Sequence, residues 1–414
     1  MKMKSVYCYM LAGLMLSASS CSSWLSEDDA PVMSYDYYET EAGVNAAITA
    51  AYGFLRWGVG GERFDVLTEL GTDLFTEGED GSNRESYNKY ATQLNPDDGI
   101  LYEMWENHYK GISDANIAMQ KIRDSQDLLE SVKIQSYAEM QFIRAYLYFD
   151  LVQQFGRIPL VTEGSFEIRT DFKRAPIADV YNVIISDLRN AAENLPEKAS
   201  VLGRATRYSA AHLLAKVYLT RGSAVKDARG QKATDMDSTL YYAEQVINSG
   251  AYALQENFSS LWDIKNQGNS EAVFAVQFTT EPMFNGDGNK QHLYWLSWYE
   301  DQPGMLRDIE NGRPYRRHVA TKKTMDDLFD RLHDSRFYKS FKWVYYANNV
   351  STLPVWESLS YDGNVYFTPD PSKGQIEGEL KFQHGDTAIY YTMQETGLAS
   401  NLSLIHISEP TRQA

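Results

Sequence analysis

Between Ile134 and Val161 the chain reads IQSYAEMQFIRAYLYFDLVQQFGRIPLV. Ile134, Tyr137, Ala138, Phe142, Ala145, Tyr148, Phe149 and Val152 recur every three or four positions, the period of a helix. Met140, Ile143, Leu147 and Leu151 fill much of the opposite side, and a helix apolar nearly all round is buried. A bilayer crossing needs about twenty apolar residues in a row, and Gln141, Arg144, Asp150, Gln153 and Gln154 interrupt this run. The pattern therefore predicts a core helix of a large soluble domain. Gly156 is its natural stop, and Pro159 bars continuation. Arg144 within it reads as a buried, hydrogen-bonded arginine that holds helices together.

The same periodicity predicts helices on both sides. Glu41 to Trp57 carries Ile48, Ala51, Tyr52 and Leu55 as a stripe behind a Thr40 cap, and Gly58, Gly60 and Gly61 break it. Phe64 to Phe75 predicts a second, shorter helix. Glu77 to Gly99 is rich in Gly, Asn and Asp and reads as a loop or a short excursion between helices. Ile100 to Arg123 places Trp105, Tyr109, Ile112, Ala115, Asn116, Met119 and Ile122 on about one face, where Trp105 reads as core rather than as a ligand platform. Pro176 to Leu195 and Tyr208 to Arg221 predict a further pair, the second capped by Thr206. Ala210, Ala211 and Ala215 are small enough to let a neighbouring helix approach closely. Such pairs are the mark of tetratricopeptide-like units. His212, inside that run, reads as a packed core histidine rather than a metal ligand. Asp235 to Ser249 predicts one more helix, and the alternating run Glu271 to Phe278 predicts a strand.

After Phe278 the texture changes: turns multiply, strands shorten and aromatics cluster. His292 to Tyr299 reads HLYWLSWY. On an alternating strand Tyr294 and Trp298 share one face, and Trp295 and Tyr299 the other. Thr321 to Tyr346 is expected to include a helix, and Tyr361 to Phe382 irregular loop and short strands.

Composition adds limits. The 414 residues are 43% hydrophobic, with 29 Tyr and 8 Trp, enough for a sizeable core and for ring platforms alike. The formal net charge of −17 repels nucleic acid and anionic lipid. Residues 1–20 have a basic start, an apolar run from Val6 to Leu16 and small residues before Cys21, as a secretory leader does. Its removal takes away Lys2, Lys4 and no acids, and leaves Cys21 as the single cysteine. A disulfide framework within the mature chain is then excluded, and Cys21 is a candidate for lipidation. Glu27, Asp28 and Asp29 follow in a polar stretch, a tether or an export signal.

The run RAYLYFDLVQQFGRIPLV resembles the signature helix and turn of the SusD/RagB family of surface nutrient-binding lipoproteins. RYSAAHLLAKVYLTRG, the pattern W-x3-Y-x2-I-x2-AN beginning at Trp105, and the segment around Asp334, Arg336 and Phe337 are similar to family segments as well. The resemblance implies a mainly α fold of tetratricopeptide-like helix pairs, a SusD-like superhelix, with an irregular α/β, loop-rich region after the fourth pair. It implies a leader over 1–20, a tether over 21–40, the helical region over 41–278 and a loop-rich ligand-binding region over 279–402. Residues 403–414 read as a non-native tail, and the family's C-terminal part is expected to be missing. The implied function is non-catalytic capture of a nutrient, most often a glycan, at the outer membrane. The implied partner is a SusC-like TonB-dependent transporter.

A search for catalytic chemistry gives no phosphate loop, dinucleotide fingerprint, zinc-type histidine pair or nucleophile elbow. No cofactor or metal is expected. Asn285 to Asn289 reads as a polar turn, since it lacks the spacing and terminal Glu of a calcium loop. Sugar rings offer apolar faces that stack on Trp or Tyr and hydroxyls that pair with polar side chains. Tyr294, Trp295, Trp298 and Tyr299 are the ring candidates, with Trp356 in a loop-rich stretch and Arg307 and Asn289 as polar neighbours. Two rivals stay open: a surface glycoside hydrolase and an adaptor solenoid without a small ligand.

Overall fold

A computed structural model describes residues 40–370, except 79–84, 91–93, 166–168, 226–227, 287, 297–298, 302–303, 331–332, 343, 347, 350–354 and 362–363, together with 387–390 and 403–404. The leader, Cys21 and the acidic stretch after it lie outside the described residues.

The long helices form where periodicity predicts them. They are α1 (Glu41–Gly53), α5 (Gly99–Asp124), α6 (Glu130–Phe155), α7 (Ile177–Asn194), α8 (Arg207–Gly222) and α9 (Asp235–Ile247). Between α1 and α5 lie three short helices, α2 (Arg56–Gly60), α3 (Glu62–Thr68) and α4 (Glu85–Lys89), and strand β1 (Phe75–Glu77). The predicted helix over 64–75 is thus halved, its second part becoming a turn and β1. Thr40 caps α1 by accepting from the Gly43 N–H at 3.1 Å. Thr206 and Ser209 form a reciprocal capping box on α8, which satisfies two backbone donors a helix start otherwise leaves open. Gly156, at φ 68°, ends α6.

Each long helix packs on the next: α5 on α6, α6 on α7, α7 on α8 and α8 on α9, with α1 laid over α5 and α6. The fold is therefore mainly α and built of tetratricopeptide-like hairpins. One continuous core runs through the stack, from Val44 and Ile48 through Ile112, Phe142, Ile143 and Tyr148 to Ile184, Leu188, Leu214 and Val217. Each such side chain contributes about 1.5–3 kcal/mol by leaving water. Gly111 lets α5 and α6 touch, since a Cβ there would stand 2.6 Å from Leu147 Cδ1. No helix among the described residues is long and apolar enough to cross a membrane.

Buried charges inside the stack are paired. Arg144 donates from Nε and Nη2 to the two carboxylate oxygens of Asp187 on α7, each at 2.8 Å. Its Nη1 donates to Asn116 Oδ1 on α5 at 2.7 Å and to the Thr162 carbonyl at 2.9 Å. Glu139 accepts from Arg204 Nε and Nη2, each at 2.8 Å, and from the Tyr52 hydroxyl of α1 at 2.7 Å.

The stretch after Phe278 holds shorter elements: α10 (Phe258–Leu261) precedes it, then α11 (Pro282–Asn285), α12 (Gln291–Tyr294), β2 (His318–Ala320), α13 (Arg336–Ser340), β3 (Phe341–Lys342) and β4 (Val344–Tyr346). β1 and β2 pair antiparallel, Phe75 opposite Ala320 and Glu77 opposite His318. A second core of Tyr299, Met305, Ala320, Met325, Phe337, Phe341 and Tyr345 forms here, with Phe75 packed against it. Farther on, β5 (Val355–Tyr361) and β6 (Asn364–Asp370) make a hairpin, while β7 (Thr387–Tyr390) and β8 (Ser403–Leu404) pair with β4 and β3.

Three expectations are corrected. Residues 271–278 are not assigned to a strand and pass half-buried along the helices, with Phe274 and Val276 packed on the main core. Alternation there answers to a helical surface on one side rather than to a ladder. Residues 291–294 are helical and 295 a turn, so the alternating-strand reading of HLYWLSWY fails, for local turn geometry replaces the period of two. His212 lies on the exposed side of α8 rather than in the core, one residue off its buried stripe.

Arg144→Leu leaves the Asp187 charge buried without its counterion, so a loss of about 3–5 kcal/mol is expected. It is read as a lower urea midpoint at unchanged slope. The double variant Arg144→Leu/Asp187→Leu should recover most of that loss.

Candidate functional site

The start of α5 opens a cavity of about 480 Å³. The local sequence fixes its floor. Asp98 caps α5 by accepting from the Ile100 N–H at 2.8 Å, and the Tyr87 hydroxyl donates to the same carboxylate. Pro96, Asp97, Leu101, Tyr102 and Trp105 supply the walls, with Phe155 from the last turn of α6. Tyr102 and Trp105 are three apart on a helix and hence neighbours on its surface.

Trp105 is held on two sides and open on another. Its ring stands edge-on to Phe155 at 5.2 Å and 4.8 Å from Tyr109. The Tyr109 hydroxyl donates to the Pro159 carbonyl at 2.7 Å, which fixes that support. Trp105 packs on the core, as its spacing predicts, and also lines the cavity. Tyr102 is 61% exposed. Two ring faces beside one carboxylate, Asp97, suit a ligand with an apolar face and hydroxyl groups. Asp97 is the one carboxylate on this wall among the described residues.

The aromatic cluster singled out from sequence sits elsewhere and mostly inward. Tyr294, Trp295 and Tyr299 are 7%, 6% and 0% exposed. Tyr299 stacks on Tyr345 at 5.1 Å. Trp295 meets Phe75 of β1 at 4.9 Å and donates from Nε1 to Gln291 Oε1 at 3.0 Å. These rings join the loop-rich stretch to β1 and α3 and present no face to solvent. Trp298 lies outside the described residues. Trp356 sits on β5 opposite Pro369. Arg307 is exposed and paired with Glu300. Asn289 is exposed, its Oδ1 accepting from the Gln291 N–H at 3.0 Å. Among the described residues, the structure therefore does not gather the sequence-chosen side chains into one site. Sequence reasoning missed Tyr102, Pro96, Asp97 and Phe155. The available signal was Tyr102, a large ring one position off the apolar face of its helix.

Beneath Trp295 lies Asp65 of α3. Burial pushes its carboxyl up to about 7, against hydrogen bonds from Gln291 and Trp295, while Glu69 and Glu62 add to the rise. His318 Nε2, fully buried, stands 3.8 Å from Asp65 Oδ2. Among the described residues no group of three or more His, Cys, Asp or Glu is placed to hold a metal ion.

Comparison with known proteins bears out the resemblance read from the sequence. Residues 33–219 match the SusD-like family model described as starch-binding and associating with outer membrane. The chain is 24% identical to SusD-like protein P25 of Formosa agariphila, over 96% of this chain and 77% of that one. It is 27% identical to SusD-like protein P2 of the same organism, over 75% of this chain and 63% of the relative. A solved laminarin-binding SusD-like protein shares the fold, with a TM-score of 0.60 at 24% identity, over 73% of this chain and 66% of that one. The match spans between 63% and 77% of the length of these three relatives. In sequence pattern and in fold it resembles SusD-like proteins.

Asp65 generates a pH dependence with a definite sign. Its carboxyl binds its proton more tightly folded than unfolded, so its stabilising contribution is fully present below about 4 and is lost as pH rises through about 7. Asp65→Asn should flatten the fall in stability between about pH 4 and pH 7, read from urea midpoints across that window. A fall of the same size in the variant would exclude Asp65 as its source.

Proposed function

We propose that this SusD-like chain captures a glycan at the outer-membrane surface without transforming it, and hands it to a TonB-dependent transporter. The observation that carries the reading is the Trp105–Tyr102–Phe155 cavity, where ring faces stand open beside a single carboxylate. The family description, starch-binding and associating with outer membrane, supports the glycan class. So does the laminarin named for the solved relative. Starch and laminarin are both neutral glucans, and neutral rings are what apolar ring faces and one carboxylate suit. The attachment in this proposal is a lipid on Cys21, since burial of acyl chains contributes about 0.8 kcal/mol per methylene and several chains hold firmly. An uncovered apolar stripe on α9, made of Met236, Leu240, Tyr241 and Ile247, supports a protein partner.

Calorimetry against laminarin and starch oligosaccharides tests the site. Tyr102→Ala removes an exposed ring at little cost in stability, and Trp105→Ala removes the half-buried anchor. Each should lower affinity about tenfold or more, with no new reducing ends appearing on incubation. Unchanged affinity in both variants removes the cavity from the reading, and turnover replaces capture by hydrolysis. Cys21→Ser should move the protein from the membrane fraction to the soluble one; retention in the membrane would rule out the lipid on Cys21.

A further inference from the structure

A second cavity, of about 350 Å³, lies between α7, α8 and the start of α9. This size is within the range of about 300–1,000 Å³ usual for small-molecule sites. The protein carries a formal net charge of −17, yet this cavity is cationic. Arg189, Arg221 and Lys232 line it beside Asn182, Ser186 and Thr234, and among the described residues no carboxylate does.

The three cations differ. Arg221 is spoken for: it is buried and bonded through Nε and Nη2 to both oxygens of Asp235, at 3.0 and 2.5 Å. Burial pushes the Asp235 carboxyl up, but hydrogen bonds from Arg221 and the Lys232 backbone outweigh it and hold it below the usual range. Arg189 and Lys232 are exposed; the Lys232 charge helps hold the Asp235 carboxyl down, and its backbone N–H donates to Asp235 Oδ2 at 3.0 Å. Asp235 opens α9, and Thr234 just before it lines the same space.

Tyr218 supplies the independent sign. It lines the cavity and is 2% exposed, yet its hydroxyl has no hydrogen-bond partner among the described residues. The ring itself is fully committed. It lies 5.8 Å from the Arg189 guanidinium, 5.3 Å from that of Arg221, and stacks on Tyr242 at 5.9 Å. A buried hydroxyl left unpaired is costly and uncommon. It borders the cavity as a hydroxyl whose hydrogen-bonding capacity is unspent.

We propose that this cavity binds a small hydroxylated carboxylate, the chemistry of a uronic acid unit. The carboxylate meets Arg189 and Lys232, and the ring hydroxyls meet Tyr218, Ser186 and Thr234. A neutral sugar leaves the two cations unmatched, and a simple dicarboxylate leaves the hydroxyl groups unmatched. The site is separate from the aromatic cavity, and its assignment does not rest on that one.

Calorimetry on the full chain with glucuronate, glucose and succinate tests it, in wild type, Arg189→Ala and Tyr218→Phe. Glucuronate should bind roughly tenfold or more tightly than either comparator. Arg189→Ala should lose roughly tenfold, and Tyr218→Phe should bind more weakly while melting no lower than wild type. Trp105→Ala should leave glucuronate binding unchanged, which separates this site from the neutral-glycan one. Absent glucuronate binding, or binding indifferent to both cavity variants, overturns the proposal. Succinate or an aspartate-rich peptide binding as well as glucuronate overturns the sugar-acid assignment.

Discussion

The helical stack depends on carboxylates taken out of water and matched one for one by guanidinium groups. Asp187 with Arg144, Glu139 with Arg204 and Asp235 with Arg221 have carboxylate side chains 3%, 3% and 1% exposed. Each pair joins different parts of the stack: α6 to α7, α6 to the segment before α8, and α8 to the start of α9. Desolvating such charges costs several kcal/mol per ion, and only near-ideal geometry offsets it. A slip of one helical turn would part a bidentate pair and leave both charges buried. The apolar core tolerates sliding far better than these pairs do. They are what sets the register of hairpin on hairpin.

That register positions both cavities. Trp105 can be held edge-on only because Phe155, at the far end of α6, arrives beside the first turns of α5. The alignment of α5 with α6 is fixed lower down, by Arg144 reaching Asn116 and by Gly111 admitting Leu147. The cationic cavity depends in the same way on Arg221 and Asp235, which tie α8 to the start of α9. A binding wall made from two helices is as rigid as the crossing between them.

The helices were legible because each buries a face wide enough to impose its period on the sequence. Arg144 was legible as well, since a lone charge inside an apolar run has to be paired. The loop-rich stretch was not. Tyr294 ends a short helix, Trp295 follows in a turn and Tyr299 lies beyond, all three buried, and the residues packed on them, Phe75, His318 and Tyr345, lie far off in sequence. Periodicity measures neighbours within one element. It does not report what a distant segment places over a ring. The same limit hid Phe155, which reads as the last apolar residue of a core helix and becomes a cavity wall only when α5 is set beside it. The cationic cavity was hidden for a further reason. Arg189 and Lys232 are ordinary surface residues in sequence, and their convergence is a fact of the crossing alone.

The two cavities ask for opposite chemistry, and the charge of the whole chain bears on each differently. A protein at −17 repels an approaching anion over about a Debye length, some 8–10 Å at ordinary ionic strength. A neutral glucan is indifferent to that field, so ring faces alone can serve it. An acidic sugar must cross the repulsive surface and be rewarded inside it. Exposed cations lining a cavity supply that reward, and the cavity at α7, α8 and α9 has two such cations. An acidic surface then discriminates, since weakly held anions stay in solvent and an anion that also satisfies the Tyr218 hydroxyl is retained.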